Sequence, residues 1–82
     1  MFSIEFSQTA EKQLFKLDKE IGKRVVSILE RIKIRPYSYV KRLSGYPYFR
    51  LRIGDYRAIL QIQENEKKII VLEIGHRKNI YK

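Results

Sequence analysis

The chain has 82 residues with no cysteine, and its 18 Lys and Arg against 9 Asp and Glu leave a formal net charge of +9. A chain this short builds one hydrophobic core, so a single domain over residues 1–82 is expected. Without cysteine there are no disulfides and no thiolate metal sites, and a hydrophobic content of 44% is enough for a fold that needs neither.

The opening Met1-Phe2-Ser3-Ile4-Glu5 has no basic stretch leading into an apolar core, so no signal peptide is expected. The longest aliphatic run, Ile69-Ile70-Val71-Leu72, falls far short of the roughly 20 residues that cross a bilayer. No membrane partner and a cytoplasmic location follow as expectations. The positive charge is uneven: residues 1–20 are slightly acidic and the basic surplus starts at Lys23. That balance favours a polyanionic partner, nucleic acid above all.

Residues 2–6 alternate apolar and polar side chains, which predicts a half-buried strand. Ser7 or Thr9 can then cap a helix by accepting from free amides of its first turn. Ala10, Leu14 and Leu17 follow at helical spacing. Ile21, Val25, Ile28, Leu29 and Ile32 form the apolar stripe of a second, longer helix. Asp18 to Gly22 carries the join, and Arg35-Pro36 ends the pair, because the residue before proline leaves the α region. Tyr37 to Tyr46 reads as a loop carrying Lys41 and Arg42.

Three strands follow. From Tyr48 to Ile53, Phe49, Leu51 and Ile53 share one face. Gly54-Asp55 is a two-residue hairpin signal of the Gly-first kind. Tyr56, Ala58, Leu60 and Ile62 then face the core, with Arg57, Ile59, Gln61 and Gln63 opposite. A turn at Glu64 to Lys67 leads into Lys68–Ile74, which Gly75 interrupts. The order βααβββ is that of an α+β domain, an antiparallel sheet with a helix hairpin packed on one face.

Counting outward from Gly54-Asp55 sets Arg52 directly opposite Arg57 and Arg50 opposite Ile59, all on the face away from Phe49 and Leu51. Like charges directly opposed in a sheet cost a few tenths of a kcal/mol up to about 1. Folding alone does not favour such an arrangement, and a phosphate site does. With Ile70, Leu72 and Ile74 as the core residues of the last strand, Arg57 lies beside Gly75, and Glu73 and Arg77 are its diagonal neighbours. Gly75 then marks either a bulge or the close approach of another backbone. Arg50, Arg52, Arg57 and Arg77 converge on one patch, with His76 and Tyr81 at its edge.

Guanidinium groups grip phosphate bidentately and stay charged at cellular pH. Several of them around one phosphate stabilise the extra negative charge of a pentacoordinate transition state. The patch offers no carboxylate set suited to magnesium, and the single histidine cannot build a zinc site, so neither metal nor cofactor is expected. One route needs neither. The 2′-oxygen of RNA attacks its own 3′-phosphate and the bond to the 5′-oxygen breaks, leaving a 2′,3′-cyclic phosphate and a 5′-hydroxyl. A base takes the 2′-hydroxyl proton and an acid protonates the leaving oxygen. His76 can titrate near neutrality and act as either. Tyr81 is a stacking platform or a proton donor. Glu73 is a general base or an ordinary ion-pair partner of Arg57.

These residues resemble the RelE/ParE toxin superfamily. The run Phe6 to Leu17 is similar to its first helix. Leu43-Ser44-Gly45, followed by Tyr48 to Arg57 with its Gly-Asp-Tyr-Arg turn, resembles its central hairpin. Gly75-His76-Arg77 with Tyr81 resembles its C-terminal signature. The resemblance spans almost the whole chain and implies a RelE-like fold. It further implies a toxin of a type II toxin–antitoxin system that cuts mRNA on the ribosome. Its partners would be the ribosome, mRNA and a RelB-like antitoxin bound in a heteromeric complex. By position, Arg57 and Arg77 match the family's phosphate-binding arginines, Tyr81 its C-terminal tyrosine, and Arg50 and Arg52 its basic pair. Lys41 and Arg42 add cations for RNA. Some relatives have lysine at the basic pair, one of them thought to act as base. Arginine is too weak an acid for that role at neutral pH, which leaves the base unassigned here. ParE-type members share the fold but inhibit DNA gyrase, and a non-catalytic RNA-binding module is a third reading.

Overall fold

A computed structural model describes residues 1–76, so Arg77 and Tyr81 lie outside the described residues. The alternation at the start becomes strand β1 (Ser3–Phe6), with Phe2 buried just ahead of it. Ser7 caps helix α1 (Gln8–Phe15), its side chain accepting from the amide of Ala10. Helix α2 (Lys19–Ile32) buries Val25, Leu29 and Ile32 and half-buries Ile21 and Ile28, the stripe its spacing predicts.

A short 3-10 turn (Pro36–Ser38) follows, and then strands β2 (Val40–Arg42), β3 (Phe49–Ile53), β4 (Tyr56–Gln63) and β5 (Lys68–His76). They form one sheet in the order β1-β5-β4-β3-β2. The expected α+β arrangement of two helices and a sheet is present, with three differences.

The first is an additional strand. Val40, Lys41 and Arg42 pair with Leu51, Arg50 and Phe49, so part of the expected loop is the edge strand β2. Three residues are too few to show alternation, and pairing with β3 makes them a strand.

The second is direction. β2 to β5 run antiparallel, but β1 pairs parallel with β5, from Ser3↔Lys68 to Phe6↔Val71, so the sheet is mixed. A hairpin would force antiparallel pairing, whereas β1 is followed by a helix that leaves either direction open.

The third is the register of β5. Its fully buried side chains are Ile69, Val71 and Ile74, where Ile70, Leu72 and Ile74 were expected. Arg57 pairs with Gly75 and Ile59 with Glu73 as expected, but Leu60 then pairs with Val71, and Leu72 is skipped. Leu72 is therefore the bulged residue, rather than Gly75. One extra residue on one strand moves every later side chain to the other face.

The bulge is fastened by α1. The Ser7 hydroxyl donates to the Leu72 carbonyl at 2.8 Å while accepting from the Ala10 amide at 3.0 Å. Beyond the end of β1, the Ile74 amide donates to the Gln13 side-chain carbonyl at 2.6 Å, so α1 satisfies the strand edge that β1 leaves open. Ser7→Ala removes a helix cap and strands a part-buried carbonyl. It should lower stability by about 1–2 kcal/mol, read as a fall in the thermal midpoint; an unchanged midpoint would mean that the bulge is held without Ser7.

Candidate nucleic-acid interface

The helices and Leu51, Ile53, Ala58 and Leu60 fill one side of the sheet, and alternation sends the intervening residues of β3 and β4 to the other. The Gly54-Asp55 turn sets the predicted register, with Gly54 at φ +60°, a conformation that glycine adopts without strain. Two rows of side chains then cross the open face. Lys41, Arg50, Ile59 and Glu73 are successive partners from β2 to β5. Arg52, Arg57 and Gly75 form the next row, so the two arginines do stand directly opposed.

These rows frame two adjoining hollows. The smaller, about 150 Å³, is lined by Tyr39, Lys41, Arg50, Arg52 and Arg57. Four of these five side chains are cationic and none is acidic, so the hollow suits a phosphate group. The larger is a cleft of about 580 Å³ that shares Arg50 and Arg57 with the first. Leu43, Tyr46 and Tyr48 of the β2–β3 connection, with Ile59 and Leu72, give it apolar walls. Thr9, in the first turn of α1, also lines it, and Glu73 is the one acidic residue of the lining among the described residues.

Not every residue expected at the patch joins it. Arg42 pairs with Phe49 and lies over its ring at 5.7 Å, on the face opposite the other cations. Tyr37 meets the same ring edge-on, and its hydroxyl donates to Glu64 at 2.6 Å. That hydrogen bond raises the Tyr37 phenol above its ordinary value and, with help from Lys67, holds the Glu64 carboxyl below its own. Arg42 thus belongs to a structural cluster on the far face. His76 pairs with Tyr56 and packs edge-on against its ring, the centroids 5.4 Å apart. Tyr56 packs on the core, so His76 shares the helix side of the sheet and not the face of Arg57. The parity of Arg57↔Gly75 leaves no other face for the next residue.

A family model described as ParE toxin of type II toxin-antitoxin system, parDE, matches residues 4–81. The chain belongs to that family. This type II toxin is 30% identical over 86 residues to Toxin RelG of Mycobacterium tuberculosis, covering 99% of this chain and 97% of that protein. Its fold is similar to the toxin–antitoxin complex RelBE2 of Mycobacterium tuberculosis, with a TM-score of 0.83 and 26% identity over 93% of this chain and 98% of that one. The archaeal RelE-RelB complex of Pyrococcus horikoshii OT3 gives a TM-score of 0.82 at 24% identity, covering 95% and 97% of the two chains. The intact E. coli RelBE complex gives 0.80 at 21%, covering 93% and 96%.

In this toxin the sequence pattern missed Thr9, Tyr39, Leu43, Ser44, Tyr46 and Leu72 as lining residues. Tyr39 had a signal, since it alternates with Lys41. Leu72 had none inside an unbroken aliphatic run, and Thr9 reaches the cleft only because α1 is fastened to β5. Arg52 is exposed and donates a 3.4 Å hydrogen bond from Nε to the Gly54 carbonyl. Arg52→Ala should therefore leave the thermal midpoint unchanged or raise stability by up to about 1 kcal/mol, by relieving its opposition to Arg57; a clear loss of stability would show the pair to be structural.

Proposed function

We propose that this toxin is a metal-independent endoribonuclease that cuts mRNA on the ribosome and so halts translation. The observation that carries the reading is the phosphate-sized hollow lined by Lys41, Arg50, Arg52 and Arg57 on one open face. RNA bound there presents its scissile phosphate to fixed positive charge, which acts most strongly as the pentacoordinate transition state gains negative charge. Arg50, Arg52 and Lys41 position the strand, and the half-buried Arg57 stabilises the transition state. Arg77 and Tyr81 are proposed to complete the site, as second phosphate contact and as acid for the leaving 5′-oxygen.

The partner that restrains such a toxin is proposed to be a RelB-like antitoxin, as in the complexes of the relatives above. Besides the cationic face, the helices offer an apolar groove lined by Leu14, Phe15, Leu17 and Val26, where Phe15 is 80% and Val26 47% exposed. An acidic or amphipathic antitoxin segment matches both surfaces. A ribosome target implies a cytoplasmic toxin as part of the same proposal.

The ParE description of the family model favours a second reading, inhibition of DNA gyrase, which needs no phosphate hollow. Single-turnover cleavage on programmed ribosomes separates the two. Arg57→Ala and Arg77→Ala should each slow cleavage about 100- to 1000-fold. Arg57→Lys, which loses the bidentate fork, should also be impaired. Thermal melts alongside show whether each variant is folded. Near wild-type cleavage by folded Arg57→Ala would put the site elsewhere.

Affinity for ribosomes should also fall with salt. Each phosphate neutralised on a single strand contributes a slope of about −0.7 in log K against log salt. Removing Lys41 should make the slope shallower by roughly that amount. A salt-independent affinity would contradict an electrostatic footprint.

A further inference from the structure

We propose that the larger cleft reads a guanine base of the RNA, with Glu73 as the residue that recognises it. The inference rests on the nuclease reading for its RNA ligand and goes beyond it in assigning a base and a reader. The two hollows have different chemistry. Among the described residues the smaller has no acidic residue in its lining, and the larger joins five apolar or aromatic residues to a single carboxylate. Because they share Arg50 and Arg57, a nucleotide whose phosphate sits in the first has its base within reach of the second.

A splayed-out base needs flat apolar contact on its faces and hydrogen-bond partners at its edge. Tyr46, 63% exposed on the β2–β3 connection, and half-buried Tyr48 supply rings. Ile59 and Leu72 supply the floor. Glu73 stands on this face as the partner of Ile59, and the bulge adds Leu72 beside it.

An ionised carboxylate accepts hydrogen bonds and donates none. Guanine is the one standard base whose pairing edge presents two adjacent donors, the N1–H and the 2-amino group, to two carboxylate oxygens. Adenine and cytosine offer an amino group beside a ring nitrogen that repels the second oxygen. Uracil flanks its N–H with two carbonyls. Glu73 is exposed in the free protein, and once a base covers it, it discriminates by what the wrong ligand leaves unpaired.

The same geometry argues against Glu73 as the general base. The 2′-hydroxyl lies next to the scissile phosphate, and Glu73 lines the cleft rather than the phosphate hollow.

Two arms test the proposal. In the first, the free toxin is titrated with guanosine and adenosine 3′-monophosphates and followed by amide NMR shifts. Guanosine monophosphate should bind roughly tenfold more tightly, shift Tyr46, Tyr48 and Glu73, and lose its advantage in Glu73→Gln. Equal binding of the two nucleotides, or shifts that avoid the cleft, would overturn the proposal whether or not the protein cuts RNA.

In the second, programmed ribosomes carry A-site codons with guanine, inosine or adenine at each position in turn. Wild type should cut fastest with guanine at one position, more slowly with inosine, which lacks the 2-amino group, and slowest with adenine. Glu73→Gln should flatten that series. Equal slowing at every base would make Glu73 the general base and refute the reader role. Guanine-selective binding without any cutting would retain the pocket and count against the nuclease reading alone.

Discussion

The single-residue bulge at Leu72 is the constraint on which the rest of the molecule depends. Strand β5 has to bury Ile69 beside Ile62, Val71 beside Leu60 and Ile74 beside Ala58, and strict alternation cannot place both 71 and 74 on one face. The extra residue resolves the conflict and turns Leu72 and Glu73 together towards the open side. Its carbonyl receives the Ser7 hydroxyl, so the residue that starts α1 also fixes the bulge. The helices, the core register and the cleft are therefore set at one junction, and Thr9 reaches the cleft as a consequence.

The open face was shaped against the interest of stability. Direct opposition of Arg52 and Arg57, with Arg50 and Lys41 in the neighbouring row, concentrates like charge where an apolar or mixed face would fold more readily. The cost is modest because Arg52 and Lys41 are exposed to water, and the core on the other side supplies the compensating burial. Such preorganised charge has its full effect only on a group that becomes more negative during reaction. That is the physical ground for the phosphoryl chemistry proposed at this face.

Much of this was legible in the sequence where local chemistry dictates structure. The stripe from Ile21 to Ile32, the Ser7 cap and the Gly54-Asp55 turn each follow from the spacing or identity of a few residues. The Arg52–Arg57 opposition followed from that turn by counting. What was not legible depends on tertiary pairing. Val40–Arg42 becomes a strand only against β3, and that pairing sends Arg42 to the far face with Phe49. In Ile69–Leu72, four aliphatic residues in a row carry no parity, so the core choice went astray by one residue. His76 was placed with the arginines because of its neighbours in sequence, although adjacent residues on a strand point to opposite faces.

The central claim is that the cationic face acts on translated RNA. Primer extension on mRNA from cells expressing the toxin, with and without a functional start codon on the reporter message, tests it most directly. New 5′ ends are expected inside the reading frame soon after induction, and they should vanish when the start codon is removed. Intact message accompanied by gyrase-linked DNA breaks would contradict it.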